Sequence, residues 1–104
     1  MGLRKSWLLA LGMLSGPLLA TADDALALAQ AKNCLDCHAV RQSMVGPAFK
    51  DIAAQYAGQP GMVEKLAHTI IHGGPTDQMD VMPANPEVSE AEARQLAAWI
   101  LGLK

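Results

Sequence analysis

The sequence predicts a small all-α domain. Four segments have helical character, at about residues 24–33, 49–56, 62–72 and from 89 to the C-terminus. Their apolar residues recur at three- and four-residue spacing, and capping or helix-breaking residues lie at their ends. No segment alternates apolar and polar residues with β-branched enrichment, so no strand is expected.

The first 22 residues are interpreted as a cleaved signal peptide. Arg4 and Lys5 precede an apolar run over residues 7–14, and Ala20-Thr21-Ala22 supplies the small-x-small pattern that a signal peptidase recognises. The alternative is an uncleaved membrane anchor, but the apolar run is shorter than the roughly 20 residues needed to span a bilayer. We therefore expect a periplasmic domain over residues 23–104, without stable membrane insertion.

This expected mature chain is acidic. It contains six basic and ten acidic residues, a net charge of −4. Nucleic-acid binding requires a basic face, so that class of function is excluded. The chain is also short and retains only three aromatic residues, so it can bury little apolar core of its own. We expect a bound group to complete the core.

The first two predicted helices follow from local signals. The first, about residues 24–33, is rich in Ala and Leu, with an acidic start and Lys32 near its end, as the helix dipole prefers. The second, about residues 49–56, follows Gly46-Pro47 and is closed by Gly58.

The third and fourth helices carry clearer end signals. The third, residues 62–72, is stopped by Gly73-Gly74. Its apolar face comprises Val63, Leu66, Ala67 and Ile70. The fourth begins at Ser89, which forms a capping box with Glu92, and continues through Leu103.

A long loop separates these two helices. Residues 73–86 contain three prolines and two glycines and show no periodicity. Loops of this length are uncommon in small domains unless they carry a function.

The chemistry centres on Cys34-Leu35-Asp36-Cys37-His38. Two cysteines two residues apart, followed directly by histidine, form the attachment signature of a covalent haem c. Each thiol adds to one haem vinyl group, and the spacing matches the separation of the vinyls. The histidine is then held beneath the iron as an axial ligand.

Other interpretations of the cysteines remain open. They could form a disulfide or a redox-active dithiol in an oxidising compartment, although a thioredoxin-like enzyme would require a βαβ context. They could also bind zinc together with His68 and His72, which are four residues apart on one helix face. The export signal and the helical context favour haem, and His68 and His72 are then surface residues.

The sixth iron ligand is expected from the long loop. Met82 is preferred because Pro83 holds it in an extended conformation, and Met79 is the second candidate. Met44 and Met62 are interpreted as packing residues. Histidine and methionine together favour ferrous iron and leave no open position, which predicts one-electron transfer and no enzymatic activity. The rival class is a haem protein that binds a gas or reduces a peroxide when methionine leaves.

The order of these motifs resembles a class I c-type cytochrome, and more narrowly the short bacterial periplasmic cytochromes that donate electrons to nitrite reductase or terminal oxidases. The resemblance covers the whole predicted mature chain. The segments that carry it are Asn33–Ala39, Met44–Ala53 and Met82–Asn85. It implies a fold of about four helices around one haem, and a monomer that exchanges electrons with redox proteins such as membrane cytochrome complexes.

The resemblance also implies roles for individual residues. The Pro47 carbonyl should accept a hydrogen bond from Nδ1 of His38, and Asn85 should donate to the Met82 sulfur, unless it only forms the turn before Pro86. Tyr56 should lie near the haem. The first and last helices should cross near Leu26, Leu96 and Trp99.

The sequence departs from the family at the haem propionates. Members usually carry a tryptophan in the loop and an arginine in the third helix, and both contact a haem propionate. This chain has Pro75-Thr76-Asp77-Gln78 in the loop and Thr69-Ile70-Ile71 in the helix instead. The expected docking rim comprises Leu35, Met44, Met79, Val81 and Ala84. Lys32, Arg41 and Lys50 are candidate steering charges, or ordinary solvated surface.

Overall fold

The computed structural model describes residues 20–75 and 81–104. Most of the predicted signal peptide and the second ligand candidate, Met79, lie outside this part of the chain. The elements in chain order are α1 (Ala22–Ala31), a 3₁₀ turn (Cys34–Asp36), α2 (Phe49–Gln55), α3 (Met62–His72), β1 (Gly74–Pro75), β2 (Val81–Met82) and α4 (Glu90–Leu101). The predicted all-α class is confirmed.

Helix α1 begins and ends two residues earlier than predicted. Thr21 caps it by accepting from the backbone N–H of Asp24 at 3.1 Å, while the Asp24 side chain accepts from the Thr21 N–H. At the other end Asn33 has a φ of 65°, in the left-handed region where a helix cannot continue. The backbone therefore turns just before the cysteine motif.

The predicted capping box of α4 is confirmed. Ser89 accepts from the Glu92 N–H at 3.1 Å, and the Glu92 carboxylate accepts from the Ser89 N–H at 2.9 Å. The helix ends at Leu101 rather than continuing through Leu103, because the chain leaves helical geometry after Gly102. The bounds predicted for α3 are confirmed, and α2 ends one residue early, at Gln55.

The expectation of no strands was wrong in detail. Strands β1 and β2 pair antiparallel, with Gly74 opposite Met82 and Pro75 opposite Val81. Two-residue strands carry no alternating pattern, so sequence periodicity could not indicate them. The pairing holds the two ends of the long loop together.

The core lies where α1 and α3 pack on α4. Helix α1 contributes Ala29 to the cluster that contains Leu96, and Ala25 of the same helix is also buried. Leu96 and Trp99 lie in or against this core as predicted, but Leu26 is only partly buried and lies outside it. The positions 25 and 29 are one helical turn apart, so the buried stripe of α1 is one residue displaced from the predicted one.

Candidate haem site

A cavity of about 440 Å³ opens beside this core. Its size is in the range typical of sites for small ligands and cofactors. Cys34, Cys37, His38 and Met82 all line it, so residues almost fifty positions apart in sequence converge on one space. The remaining lining is largely apolar, from α2, α3, α4 and the two loop ends.

The 3₁₀ turn presents the cysteine motif to the cavity. The backbone N–H of Cys37 and that of His38 both donate to the Cys34 carbonyl, at 3.3 Å and 3.0 Å. These bonds fold five residues into one tight turn that carries all three reactive side chains. Both thiols are free, and burial raises the pKa of the Cys34 thiol, opposed by a backbone hydrogen bond and assisted by the charge of Glu87.

The ring of His38 is held from its Nδ1 side. This atom lies 2.8 Å from the carbonyl oxygen of Pro47, which can only accept, so Nδ1 carries the proton. The other ring nitrogen, Nε2, is then unprotonated and has a lone pair for a metal. The contact expected between these two residues is present.

Gly46 makes room for this ring. A Cβ at position 46 would lie 2.5 Å from Cε1 and 2.8 Å from Nδ1 of His38. These distances are too short for non-bonded atoms, so any side chain there would displace the imidazole. From the sequence, Gly46 is expected only to precede α2 and to belong to a segment that resembles the family.

Two aromatic rings extend in a row from His38. Phe49 stacks on the imidazole with ring centroids 5.0 Å apart, and Trp99 of α4 meets Phe49 edge-on at 5.6 Å. Phe49 is only 3% exposed. The row of three rings links the cysteine motif to the last helix, a role for Phe49 that the sequence did not indicate.

Met82 reaches the cavity from β2. It is partly buried and packs against the core. Gly73, with a φ of 68°, lets the chain pass closely, because a Cβ there would lie 2.6 Å from the Met82 carbonyl oxygen. The end of α3 therefore fixes the position of the methionine backbone.

The Asn85 side chain contacts two backbone carbonyls. Its side-chain amide donates to the Ile70 carbonyl at 3.0 Å and to the Pro83 carbonyl at 3.3 Å, and its backbone N–H also donates to α3. Both amide hydrogens are engaged by carbonyls, so this geometry supports the turn-forming interpretation. Donation from the Asn85 amide to the Met82 sulfur in the haem-bound protein stays a prediction.

One edge of the cavity is polar. It is lined by Gln55, Tyr56, Gln59, Lys65 and Thr69, all from the end of α2, the following turn and α3. Tyr56 thus lies where it was expected. Among the described residues, Lys65 is the only lysine, arginine or carboxylate in the lining, and no expectation from the sequence included it. The sequence did contain a signal for Lys65. This residue lies one helical turn before Thr69, which stands where family members carry an arginine that contacts a propionate, so the two positions share a helix face.

The zinc interpretation finds no support in the geometry. Within residues 20–75 and 81–104, no three His, Cys, Asp or Glu side chains lie close enough to share a metal ion. His68 and His72 are exposed on α3 and line no part of the cavity. Two thiols, an imidazole and a thioether on one apolar cavity fit a covalently attached haem.

The fold and the site together define a class I c-type cytochrome. Residues 20–100 match the family model described as "Cytochrome C oxidase, cbb3-type, subunit III". The chain belongs to this family of c-type cytochromes, and it is a one-electron carrier with a covalently attached haem c. Histidine and methionine ligation is typical of the family.

Named relatives support the assignment. The chain is 44% identical over 102 residues to cytochrome c-551 of Stutzerimonas stutzeri, a match that covers 93% of each chain. It is 48% identical over 75 residues to cytochrome c-551 of Azotobacter vinelandii, covering 71% of this chain and 90% of the relative.

A solved structure gives the same result. The crystal structure of wild-type Nitrosomonas europaea cytochrome c552 superposes with a TM-score of 0.72 at 45% identity, covering 76% of this chain and 99% of that one. Among the described residues, no helix has the length and apolar character needed to cross a membrane.

Proposed function

We propose that His38 and Met82 are the axial ligands of a haem attached through Cys34 and Cys37, and that the chain exchanges electrons with partner proteins without transforming a substrate. The observation that carries this proposal is the shared cavity, which is lined by all four side chains. Among the described methionines, Met62 also lines the cavity but belongs to α3, whereas Met82 lines it from the segment between α3 and α4.

The environment of His38 supports its role as the fixed ligand. The bond to Pro47 orients the ring and raises the basicity of Nε2. Phe49 on one side and Gly46 on another leave the imidazole little freedom to rotate. A ring held in this way is pre-oriented to bind iron through Nε2.

The position of Met82 supports closure of the second axial face. Met82 lies in β2, which is paired to β1, and Asn85 ties the following turn to α3. A bound haem supplies an iron that alternates between the ferric and ferrous states. With His38 and Met82 both bound to the iron, no position would remain open for a substrate, and the group would supply one-electron transfer.

The polar edge supports an orientation for the haem carboxylates. Haem c carries two propionate groups that require polar partners when partly buried. Lys65 provides a cation at this edge, and in the described chain no carboxylate is paired with it. We assign the propionates to this side, so the thioether side faces the opposite, apolar rim.

Exposed apolar residues at that rim support transient docking. Val45 is 77% exposed and Val81 is 76% exposed, and both line the cavity. Met44 is 53% exposed beside them. Leu35, expected in the rim, is instead partly buried against the core. Weak redox complexes use small interfaces of this kind.

The steering charges are fewer than expected. Lys32 pairs with Glu92 at 3.6 Å and donates to the Glu87 carbonyl, so its charge is partly neutralised. Arg41 and Lys50 remain exposed. We propose redox proteins as partners, among them membrane cytochrome complexes, nitrite reductase or a terminal oxidase, with this chain acting as a monomer.

Export to the periplasm is part of the same proposal. Cleavage after Ala22 would remove Thr21 and with it the N-terminal cap of α1, leaving Asp23 and Asp24 in the first turn. These carboxylates still favour the positive end of the helix dipole. The core residues Ala25 and Ala29 are retained, so α1 keeps its packing.

The decisive experiment combines mass and spectrum of the protein purified from an exporting host. The expected result is the mass of residues 23–104 plus one haem, with a low-spin ferric spectrum that shows a sulfur-to-iron charge-transfer band. A high-spin iron that readily takes carbon monoxide would favour the gas-binding or peroxide-reducing alternative. A mass equal to protein alone would refute the proposal.

A further inference from the structure

Two histidines on α3 have no part in the haem site. His68 and His72 are four residues apart, both are exposed, and their ring centroids are 4.4 Å apart with the ring planes tilted by 39°. Neither lines the cavity. Residues one turn apart share a helix face, so the rigid backbone of α3 keeps this pair together.

Paired imidazoles at this separation suit a transition metal. A metal-bound imidazole nitrogen lies about 2.0–2.1 Å from the ion, and two rings side by side on one face can each supply one nitrogen after small side-chain rotations. Imidazole ligands suit zinc, copper and nickel, and divalent copper binds most tightly in this series. Both imidazoles are exposed, so an ion reaches them without any opening of the fold.

Among the described residues, only His68 and His72 are available as protein ligands. Glu64 lies one turn before His68, but its carboxylate accepts from Nε of Arg94 at 3.0 Å and 3.2 Å. Lys65, three residues before His68, is a cation and cannot bind a metal ion. In the part of the chain that the structure describes, no third His, Cys, Asp or Glu completes the group.

We propose that His68 and His72 form a surface chelate for one divalent transition-metal ion, with divalent copper preferred and water in the remaining positions. The site is separate from the haem iron and does not depend on which residues hold the haem. Thr69 and Ile70, between the two histidines, line the cavity, so the ion is bound on the outer face of a cavity wall.

The test is calorimetric titration of the folded holoprotein with copper, nickel and zinc salts at pH 7.5. We expect one ion bound per chain through this pair, in the order copper, nickel, zinc. The variants His68→Gln and His72→Gln should each weaken this binding about tenfold or more.

A matched control lies one turn away. Glu64→Gln should leave copper affinity within about twofold of the wild type, because its carboxylate is engaged by Arg94. All variants are exposed on α3, so their haem spectra and melting temperatures report whether the fold is intact. Metal binding that is equal in the wild type and in the His68→Gln/His72→Gln double variant would overturn the proposal, since any remaining site would lie elsewhere.

Discussion

Nδ1 of His38 lies 2.8 Å from the carbonyl oxygen of Pro47, nine residues further along the chain. This bond sets the tautomer of the histidine and aims its other nitrogen at the cavity. The neighbouring residue, Gly46, gives the ring its space, so two successive residues, a glycine and a proline, determine both the orientation and the fit of one side chain.

Replacement of Gly46 tests this fit. Gly46→Ala should displace the His38 ring and weaken its bond to Pro47, because the new methyl group would lie 2.5 Å from Cε1. We expect a loss of about 1–3 kcal/mol in the free energy of unfolding and a lower yield of low-spin holoprotein. Denaturant titration and the absorption spectrum measure these effects.

Gly102→Ala is the control for that substitution. Its Cβ would make ordinary contact, 3.4 Å from the Ala98 carbonyl oxygen, so stability should change by less than about 0.5 kcal/mol. If Gly46→Ala behaved like the control, the close fit of His38 against Gly46 would not matter to the fold.

Methionine substitution tests the sixth ligand. Met82→Ala should abolish the sulfur-to-iron charge-transfer band and lower the reduction potential, because a thioether ligand favours ferrous iron. Met44→Ala, at a position 53% exposed, should leave both unchanged. Loss of the band in Met79→Ala and its survival in Met82→Ala would transfer the ligand role to Met79.

Removal of the charge of Lys65 tests the polar edge. A cation near the haem stabilises the reduced, less positive state, so Lys65→Gln should lower the midpoint potential by about 20–40 mV, the equivalent of roughly 0.5–1 kcal/mol for one electron. Lys50→Gln is the control, since Lys50 is exposed and does not line the cavity. Redox titration of both variants at low salt makes the comparison. Equal potentials in the Lys65→Gln protein and the wild type would place the propionates elsewhere.

Truncation of Phe49 tests the row of aromatic rings. Phe49→Ala removes a side chain that is 3% exposed and that contacts both His38 and Trp99. We expect a loss of about 3–5 kcal/mol in the free energy of unfolding. The control Val81→Ala, at a residue 76% exposed, should cost less than about 0.5 kcal/mol. A loss below about 1 kcal/mol for Phe49→Ala would mean that the rings do not support the site.

The capping box of α4 predicts an acid dependence. The Ser89 N–H, the largest cause, lowers the pKa of the Glu92 carboxyl below its ordinary value of 4.5. Desolvation opposes this effect, and the charge of Lys32 adds to it. The folded state therefore holds this proton less tightly than the unfolded state. The stabilisation is complete above about pH 4.5 and is lost as the pH falls through the lowered pKa.

Melting temperatures measured between pH 7 and pH 3 test this loss of stability at low pH. Glu92→Gln should melt below the wild type at neutral pH, and the difference should shrink below pH 4.5. Glu90→Gln, on the same turn but outside the box, loses only an exposed ion pair with Arg94 at 3.8 Å, so it should stay much closer to the wild type than Glu92→Gln at neutral pH. A constant difference for Glu92→Gln down to pH 3 would contradict the assignment.

Local signals in the sequence determined most of the fold. The helix α3 and the capping box at Ser89 and Glu92 depend on residues within one or two turns of each other, so reading along the chain was sufficient. The cysteine motif is equally local, because one tight turn carries Cys34, Cys37 and His38. These features indicated haem attachment without any knowledge of tertiary structure.

Contacts between distant segments decided the rest. The sequence alone determined the helices, the haem motif and the class of protein, because the interactions behind them are short-range. Only the tertiary structure placed Met82 and Lys65 on the cavity, assigned the Asn85 amide to Ile70, and moved the buried stripe of α1 from Leu26 to Ala25 and Ala29. The physical reason is that packing against another segment sets which face is buried and which donor finds which acceptor, and no local pattern carries that information.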